Sequence, residues 1–354
     1  MGMLEYILHK GQRGRPLLIA GSPRYHGAPI LAGLSCLRAG ADYCYLLVRG
    51  SNSQVVASAS PNFIVSSNIA TWKDIHYTNI LIGPGLDTEE ESVALFLDTM
   101  STRPSRLLLD ADAIRIVCKL LQQQDVKTGP LIDQLRAAQS ILTPNYAEFR
   151  SLYHTVFNSY PLRYEEAMNK LGQSLAFNRL GTILGFMALK PLVKRGGKYY
   201  DALIDEPVRL AQHLGTVLLI KGVVDVIVSP DSDDVRIVAE RGQPKRSAGQ
   251  GDILAGILAA LLASSAKEPS LFICEKAAIL TRKASRAAYK HHGVSMVASD
   301  IVSYISMDDR DIMTVLANAL SYPGISGILI IGLACLCAIS LYAATKLFSC
   351  TRCV

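Results

Sequence analysis

Short apolar runs and stretches of helical periodicity alternate along most of the chain. Runs at Leu17–Gly21, Tyr43–Val48, Ile80–Gly83, Leu107–Asp110, Ile141–Thr143, Val217–Lys221, Val226–Ser229 and Val235–Ala239 predict strands. Helical patterns fall between them at 28–39, 88–101, 111–122, 146–156 and 252–263. Continuous apolar strands separated by helices predict a mostly parallel α/β sheet covered on both faces. The polar turn Ser229–Asp234 separates two short runs, so a hairpin is expected at one sheet edge.

A different pattern closes the sequence. From Ile325 to Ala344 only Ser326, Gly327, Gly332 and Ser340 interrupt an uncharged apolar run, long enough to cross a bilayer as a helix. The expected organisation is therefore a catalytic-size unit over 1–310, a linker over 311–324, a transmembrane tail anchor over 325–344 and a Cys-containing tail over 345–354. A buried C-terminal helix is the competing reading. No signal-peptide pattern opens the sequence, so the large unit is expected to face the cytosol.

Half of the residues are hydrophobic and 19% are charged, which excludes disorder as the main state. The net charge of +6 is spread out and forms no nucleic-acid stripe. Eight cysteines lie among apolar neighbours or in the tail, the pattern of a reducing compartment rather than a disulfide framework. Cys350 and Cys353 form a lone C-x-x-C with no second pair to complete a zinc site. His291 and His292 read as the end of a basic helix, not as metal ligands.

In open α/β sheets, ligands bind beyond the carboxyl ends of the strands. Here polar or glycine residues close strand after strand: Gly21-Ser22, Gly83-Pro84-Gly85, Asp110-Ala111-Asp112, Thr143-Pro144-Asn145 with Glu148, and Lys221-Gly222. The sharpest element is Ser247-Ala248-Gly249-Gln250-Gly251-Asp252, leading into an apolar helix. Its glycines free backbone N–H groups to face an anion at a helix N-terminus. Asp252 there is either a base for an attacking hydroxyl or a plain helix cap. Arg241, Lys245 and Arg246 tilt the balance toward an anionic ligand. No P-loop sequence occurs, and position 88 is Thr where a dinucleotide fingerprint needs glycine.

Six segments in order carry a family resemblance: 20–47, IGPGL at 82–86, LLDADAI at 108–114, ILTPNYAEFRSLY at 141–153, KGVVDVI at 221–227 and SAGQGDILAG at 247–256. The chain resembles the NAD(P)H-hydrate dehydratases of the ribokinase-like superfamily, and its TPNxxEF, KGxxD and GQGD forms are similar to the ATP-dependent branch. The resemblance implies a three-layer αβα fold and dehydration of hydrated NADH or NADPH at the expense of ATP, with Mg²⁺ on the nucleotide. Asp252 would be catalytic. Gly85, the segment Asn145, Tyr146, Ala147, Glu148, Phe149, Arg150 and Ser151, together with Tyr25 and Ala28, would hold the hydrate. Lys221, Gly222, Val223, Val224 and Asp225 would hold ATP, with Gly242, Gln243, Pro244, Lys245, Arg246, Ser247, Ala248, Gly249, Gln250 and Gly251. An epimerase on a separate chain is the implied partner, and an oligomer is compatible with the family.

Asp87 stands where many relatives carry glycine. The stretch from 154 to 216 looks longer than the family needs, with Leu189–Tyr200 reading as an inserted basic loop, a surface elaboration or a lid. The alternatives to a dehydratase are a small-molecule kinase of the same superfamily and a non-enzymatic membrane-tethered scaffold.

Overall fold

The computed structural model describes residues 9–306 except 51, 69–74, 124–128, 178–188, 232–233 and 266–269. The expected hydrophobic C-terminal helix at 325–344 lies outside the described residues, as do the linker and Cys350 and Cys353. Among the described residues, no helix is long and apolar enough to cross a membrane.

Nine strands form one sheet: β1 (Pro16–Ile19), β2 (Tyr45–Leu47), β3 (Ile64–Ser66), β4 (Asn79–Ile82), β5 (Leu107–Leu109), β6 (Ile141–Leu142), β7 (Val217–Ile220), β8 (Asp225–Val228) and β9 (Val235–Val238). Their spatial order is β3-β2-β1-β4-β5-β6-β7-β8-β9. Strands β1 to β7 pair in parallel, and β8 and β9 add antiparallel as the expected edge hairpin. The chain winds outward in one direction from β1 to β3, then in the other from β4. A topological switch therefore lies between β1 and β4, the place beyond the strand ends where open α/β sheets hold their ligands.

Alternation of side chains explains why the strands read as continuous apolar runs. Leu17 and Ile19 enter one core and Leu18 the other; Ile80, Ile82 and Leu81 divide the same way, as do Leu107, Leu109 and Leu108. The first core lies under α3 (Glu90–Ser101), α4 (Asp112–Gln122), α5 (Gly129–Ala137), α6 (Tyr146–Phe157), α7 (Leu162–Phe177) and α8 (Tyr200–Leu214). The second lies under α1 (Gly27–Arg38), α9 (Gln250–Ser264), α10 (Ser270–His292) and α11 (Ala298–Ser303). Helix α2 (Asn52–Ala59) precedes β3.

Helix α9 is buried along its whole length after the first turn, from Ile253 to Ala263. It crosses α1 so closely that a Cβ on Gly256 would lie 2.1 Å from the Ala32 carbonyl oxygen. This contact leaves no room for a side chain and seats α9 directly on α1.

The described parts of the 154–216 segment pack into the core. Tyr164 and Leu171 of α7 and Leu203, Leu210 and Leu214 of α8 are fully buried and form part of the first core. Leu189 and Val193 are buried in the same core, so the expected basic loop is anchored by its apolar positions. Its lysines Lys190 and Lys194 border a cavity along β9, separate from the phosphate loop, so it is no lid over that loop.

Candidate functional site

Gly249 is the N-cap of α9 with φ of +91°, and a Cβ there would meet Leu31 Cδ1 at 2.4 Å. Only glycine fits this turn. The next residues, Gln250, Gly251 and Asp252, form the first helical turn, whose N–H groups have no partners within the helix. Asp252 is thereby carried into a cluster of charged groups supplied by the ends of β5, β6 and β7.

At the end of β5, Asp110 is almost completely buried. Its Oδ1 accepts from Lys221 Nζ at 2.6 Å and from Thr143 Oγ1 at 2.7 Å. Burial opposes the Lys221 charge, but Asp110 and then Glu148 outweigh it and raise the ammonium pKa above its ordinary value. Lys221 is itself placed by its backbone, whose N–H donates to the Pro144 carbonyl at 2.9 Å. Its ammonium lies 3.5 Å from where a Cβ on Gly251 would be, so it faces the phosphate loop.

Asn145 and Glu148 close the N-terminus of α6 as a capping box: Glu148 N–H donates to Asn145 Oδ1 at 3.0 Å, and Asn145 N–H to Glu148 Oε2 at 2.8 Å. Burial raises the Glu148 carboxyl above its ordinary range, with Lys221 pulling it back. Asp112 is also raised by burial, although it accepts the Asp87 N–H at 2.8 Å. Asp252 is the most displaced of the three, pushed up to about 7, first by burial and then by Asp110. A carboxyl poised there exchanges a proton near neutrality, which a plain helix cap has no need to do.

The topological switch holds the other expected group. Gly85, with φ of +62°, packs so tightly that a Cβ would lie 2.7 Å from Tyr25 Cβ and 2.9 Å from Ala28 Cβ. Tyr25, Ala28 and Gly85 are thus brought together between the ends of β1 and β4. The 145–151 segment divides. Its first turn faces the cluster through Asn145 and Glu148, and Tyr146 and Ala147 are exposed. Phe149 is fully buried and meets Tyr164 edge-on at 4.9 Å, so it belongs to the core. Arg150 bonds Glu165 at 2.9 Å and lies over the Tyr160 ring, while Ser151 borders the Cys118 thiol.

A cavity of about 570 Å³ opens beside the phosphate loop. Lys221, Gly222, Val223, Asp225, Gly242, Gln243, Pro244, Arg246, Ser247, Gln250 and Gly251 line it, together with Asn145. Val224 is fully buried in the first core instead. Ala248, Gly249 and Asp252 are not part of the cavity lining. Lys245 corrects an expectation: its Nζ donates to the carbonyls of Val294 at 2.7 Å and Met296 at 2.6 Å. It ties the loop to the end of the helical layer rather than aiming its charge at an anion. Arg241 and Arg246 still bring cationic groups to the cavity wall.

Sequence reasoning missed the contribution of α10, whose Ala278, Thr281 and Arg282 complete the cavity with Leu254 of α9. An arginine in a basic amphipathic helix carries no signature of this role. Among the described residues, no group of three or more His, Cys, Asp or Glu side chains is placed to hold a metal ion by itself.

A family model described as NAD(P)H-hydrate dehydratase matches residues 16–307. The ATP-dependent (S)-NAD(P)H-hydrate dehydratase of Ciona intestinalis is 29% identical over 86% of this chain and 76% of that protein. The protein of the same name in Pediculus humanus subsp. corporis is 30% identical, covering 85% of this chain and 91% of its own. Among solved structures, the ADP/ATP-dependent NAD(P)H-hydrate dehydratase of Bacillus subtilis, co-crystallised with ATP/Mg²⁺, matches with a TM-score of 0.60 and 22% identity over 87% of this chain and 92% of that one. That match shows the shared ribokinase-like fold.

Proposed function

The chain belongs to the NAD(P)H-hydrate dehydratase family, and we propose that the Asp252 cluster and the adjoining cavity divide its reaction between them. The reaction is the ATP-dependent dehydration of the (S)-hydrate of NADH or NADPH, giving NAD(P)H, ADP and phosphate. The relatives favour neither the kinase nor the scaffold alternative.

ATP occupies the cavity with its phosphates toward Gly249–Gly251, where first-turn N–H groups and the dipole of α9 receive negative charge. The hydrate binds at the topological switch beside Tyr25, Ala28 and Gly85, with its C6 hydroxyl at Asp252. Asp252 accepts the hydroxyl proton as oxygen attacks the γ-phosphorus, and ADP leaves. The phosphorylated carbon then loses phosphate as a proton leaves C5, which restores the ring double bond. Lys221, held protonated by Asp110, sets a fixed positive charge against the loop during transfer.

ATP would bring Mg²⁺ held by its own phosphate oxygens and by water, the hard oxygen donors this ion prefers. When bound, the ion neutralises phosphate charge.

The apolar run 325–344 supports attachment to a membrane. An epimerase on a separate chain would supply the S epimer from its partner form.

The observation that carries the residue assignment is Asp252, lifted to about 7 at the first turn of a glycine-loop helix beside the Lys221–Asp110 pair. Full-length protein incubated with NADH hydrate, MgCl₂ and ATP should show a rise at 340 nm that is absent with Asp252→Asn. ATP binding without any rise in the wild type would refute the reading.

A further inference from the structure

Arg282 lies on α10 among small buried neighbours, Ala278, Thr281 and Ser285, with its side chain 12% exposed. Every N–H of its guanidinium is used. Nε donates to Asp225 Oδ2 at 2.6 Å, and Nη2 to Asp225 Oδ1 at 2.7 Å and to the Gly222 carbonyl at 3.0 Å. Nη1 donates to the carbonyls of Val223 at 3.3 Å and Glu240 at 3.2 Å. A guanidinium has five such donors, so none remains for a ligand. Asp225 accepts three bonds within this cluster, since its Oδ1 also accepts the Gly222 N–H at 3.1 Å.

These bonds join three pieces of chain that meet nowhere else in sequence: the turn between β7 and β8, the exit of β9 and helix α10. The first two continue directly into cavity wall, Lys221–Val223 on one side and Arg241–Ser247 on the other. We propose that Arg282 and Asp225 form a clamp that positions both walls of the ATP cavity, so that the aspartate of the KGxxD segment serves ATP through Arg282 rather than by touching the nucleotide. Both residues line the cavity, yet the fork geometry directs their polar atoms at each other and at backbone carbonyls. A lysine cannot replace the arginine here, because an ammonium offers its three donors from a single point.

The proposal rests on the ATP-dependent reading of the site, and its test separates the two. Full-length Arg282→Lys and Asp225→Asn are assayed at 340 nm with NADH hydrate and varied ATP, with ATP binding measured by calorimetry. The expected result is a rise of about tenfold or more in KM for ATP, with kcat and KM for the hydrate within about threefold of wild type. The double variant should be no worse than the poorer single one, because each substitution already opens the same clamp. Unchanged KM for ATP in folded single variants would overturn the proposal, as would a fall in kcat alone or multiplying effects. Failure of both single variants to fold also overturns it, because the pair would then be a core element rather than a feature of the nucleotide site. A wild type without ATP-dependent absorbance gain defeats the functional reading; calorimetry on the variants still decides the clamp.

Discussion

Replacing Asp252 by Asn should make the protein more stable and inactive at once. The Asp252 carboxyl is lifted from the ordinary 3.8 to about 7 by burial and by Asp110, against the pull of Lys221. The folded state therefore binds this proton more tightly than the unfolded chain does. That contribution to stability is fully present below about pH 4 and is lost as the pH rises through about 7. At about 1.4 kcal/mol per pH unit, the ionised carboxylate costs the fold about 4 kcal/mol at pH 8. This is a ceiling, because the side chain reaches solvent at one edge. Asn carries no charge at any pH and removes the cost. Urea unfolding without nucleotide should show Asp252→Asn ahead of wild type at pH 8, by up to about 4 kcal/mol, with the gap closing toward pH 4. Turnover at 340 nm should fall about 10²- to 10⁴-fold, the contribution of a general base. Wild-type kcat/KM should climb with pH and level off above about 7. An Asn variant no more stable than wild type at pH 8, or a wild-type profile flat through neutrality, would refute the reasoning.

Gly85→Ala places a Cβ against Tyr25 and Ala28 at a positive φ, so about 1–3 kcal/mol of stability should be lost. KM for the hydrate should rise while KM for ATP stays, which steady-state kinetics with each substrate varied will show. Asn145→Ala removes the acceptor of the α6 capping box and should lower stability by about 1 kcal/mol in chemical unfolding. Full-length protein should float with liposomes in a density gradient and residues 1–322 should not, with both keeping activity; flotation of neither would remove the membrane assignment.

The parallel sheet was legible because both its faces are buried, so strands such as Leu107–Leu109 and Val217–Ile220 appear as unbroken apolar runs. Strand β3 and helix α2 escaped the reading. Ile64 at the sheet edge is 45% exposed, and Val56 is the one buried position of α2, so neither segment carries a periodic signal. Helices α7 and α8 carry no clear pattern because polar residues dilute their apolar stripe, although that stripe covers the sheet. In the site, glycines were the most readable residues: the close approaches at Gly85 and Gly249 allow no other. Charge was less readable, since sequence adjacency does not give direction. Lys245 sits four residues before Gly249 yet turns to the carbonyls of Val294 and Met296. Arg282, distant in sequence, reaches the cavity because α10 lies across β8 and β9.

Lys221 shows how the topology joins the two halves of the reaction. It sits at the end of β7, where parallel pairing gives way to the antiparallel hairpin. Its backbone bonds Pro144 on the parallel side, its ammonium bonds Asp110 at the end of β5, and the same ammonium faces Gly251. Asp110 neutralises it, which leaves Asp112, Glu148 and Asp252 as an excess of acid around the loop. Burial first, then the charge of Asp110, with smaller contributions from Asp112 and Glu148, brings Asp252 near neutrality against the pull of Lys221. The cluster is thus arranged against the stability of the empty protein, and the same arrangement makes Asp252 basic enough to take a hydroxyl proton. A more favourable placement, with Lys221 paired to Asp252 instead of Asp110, would depress that carboxyl and remove the base.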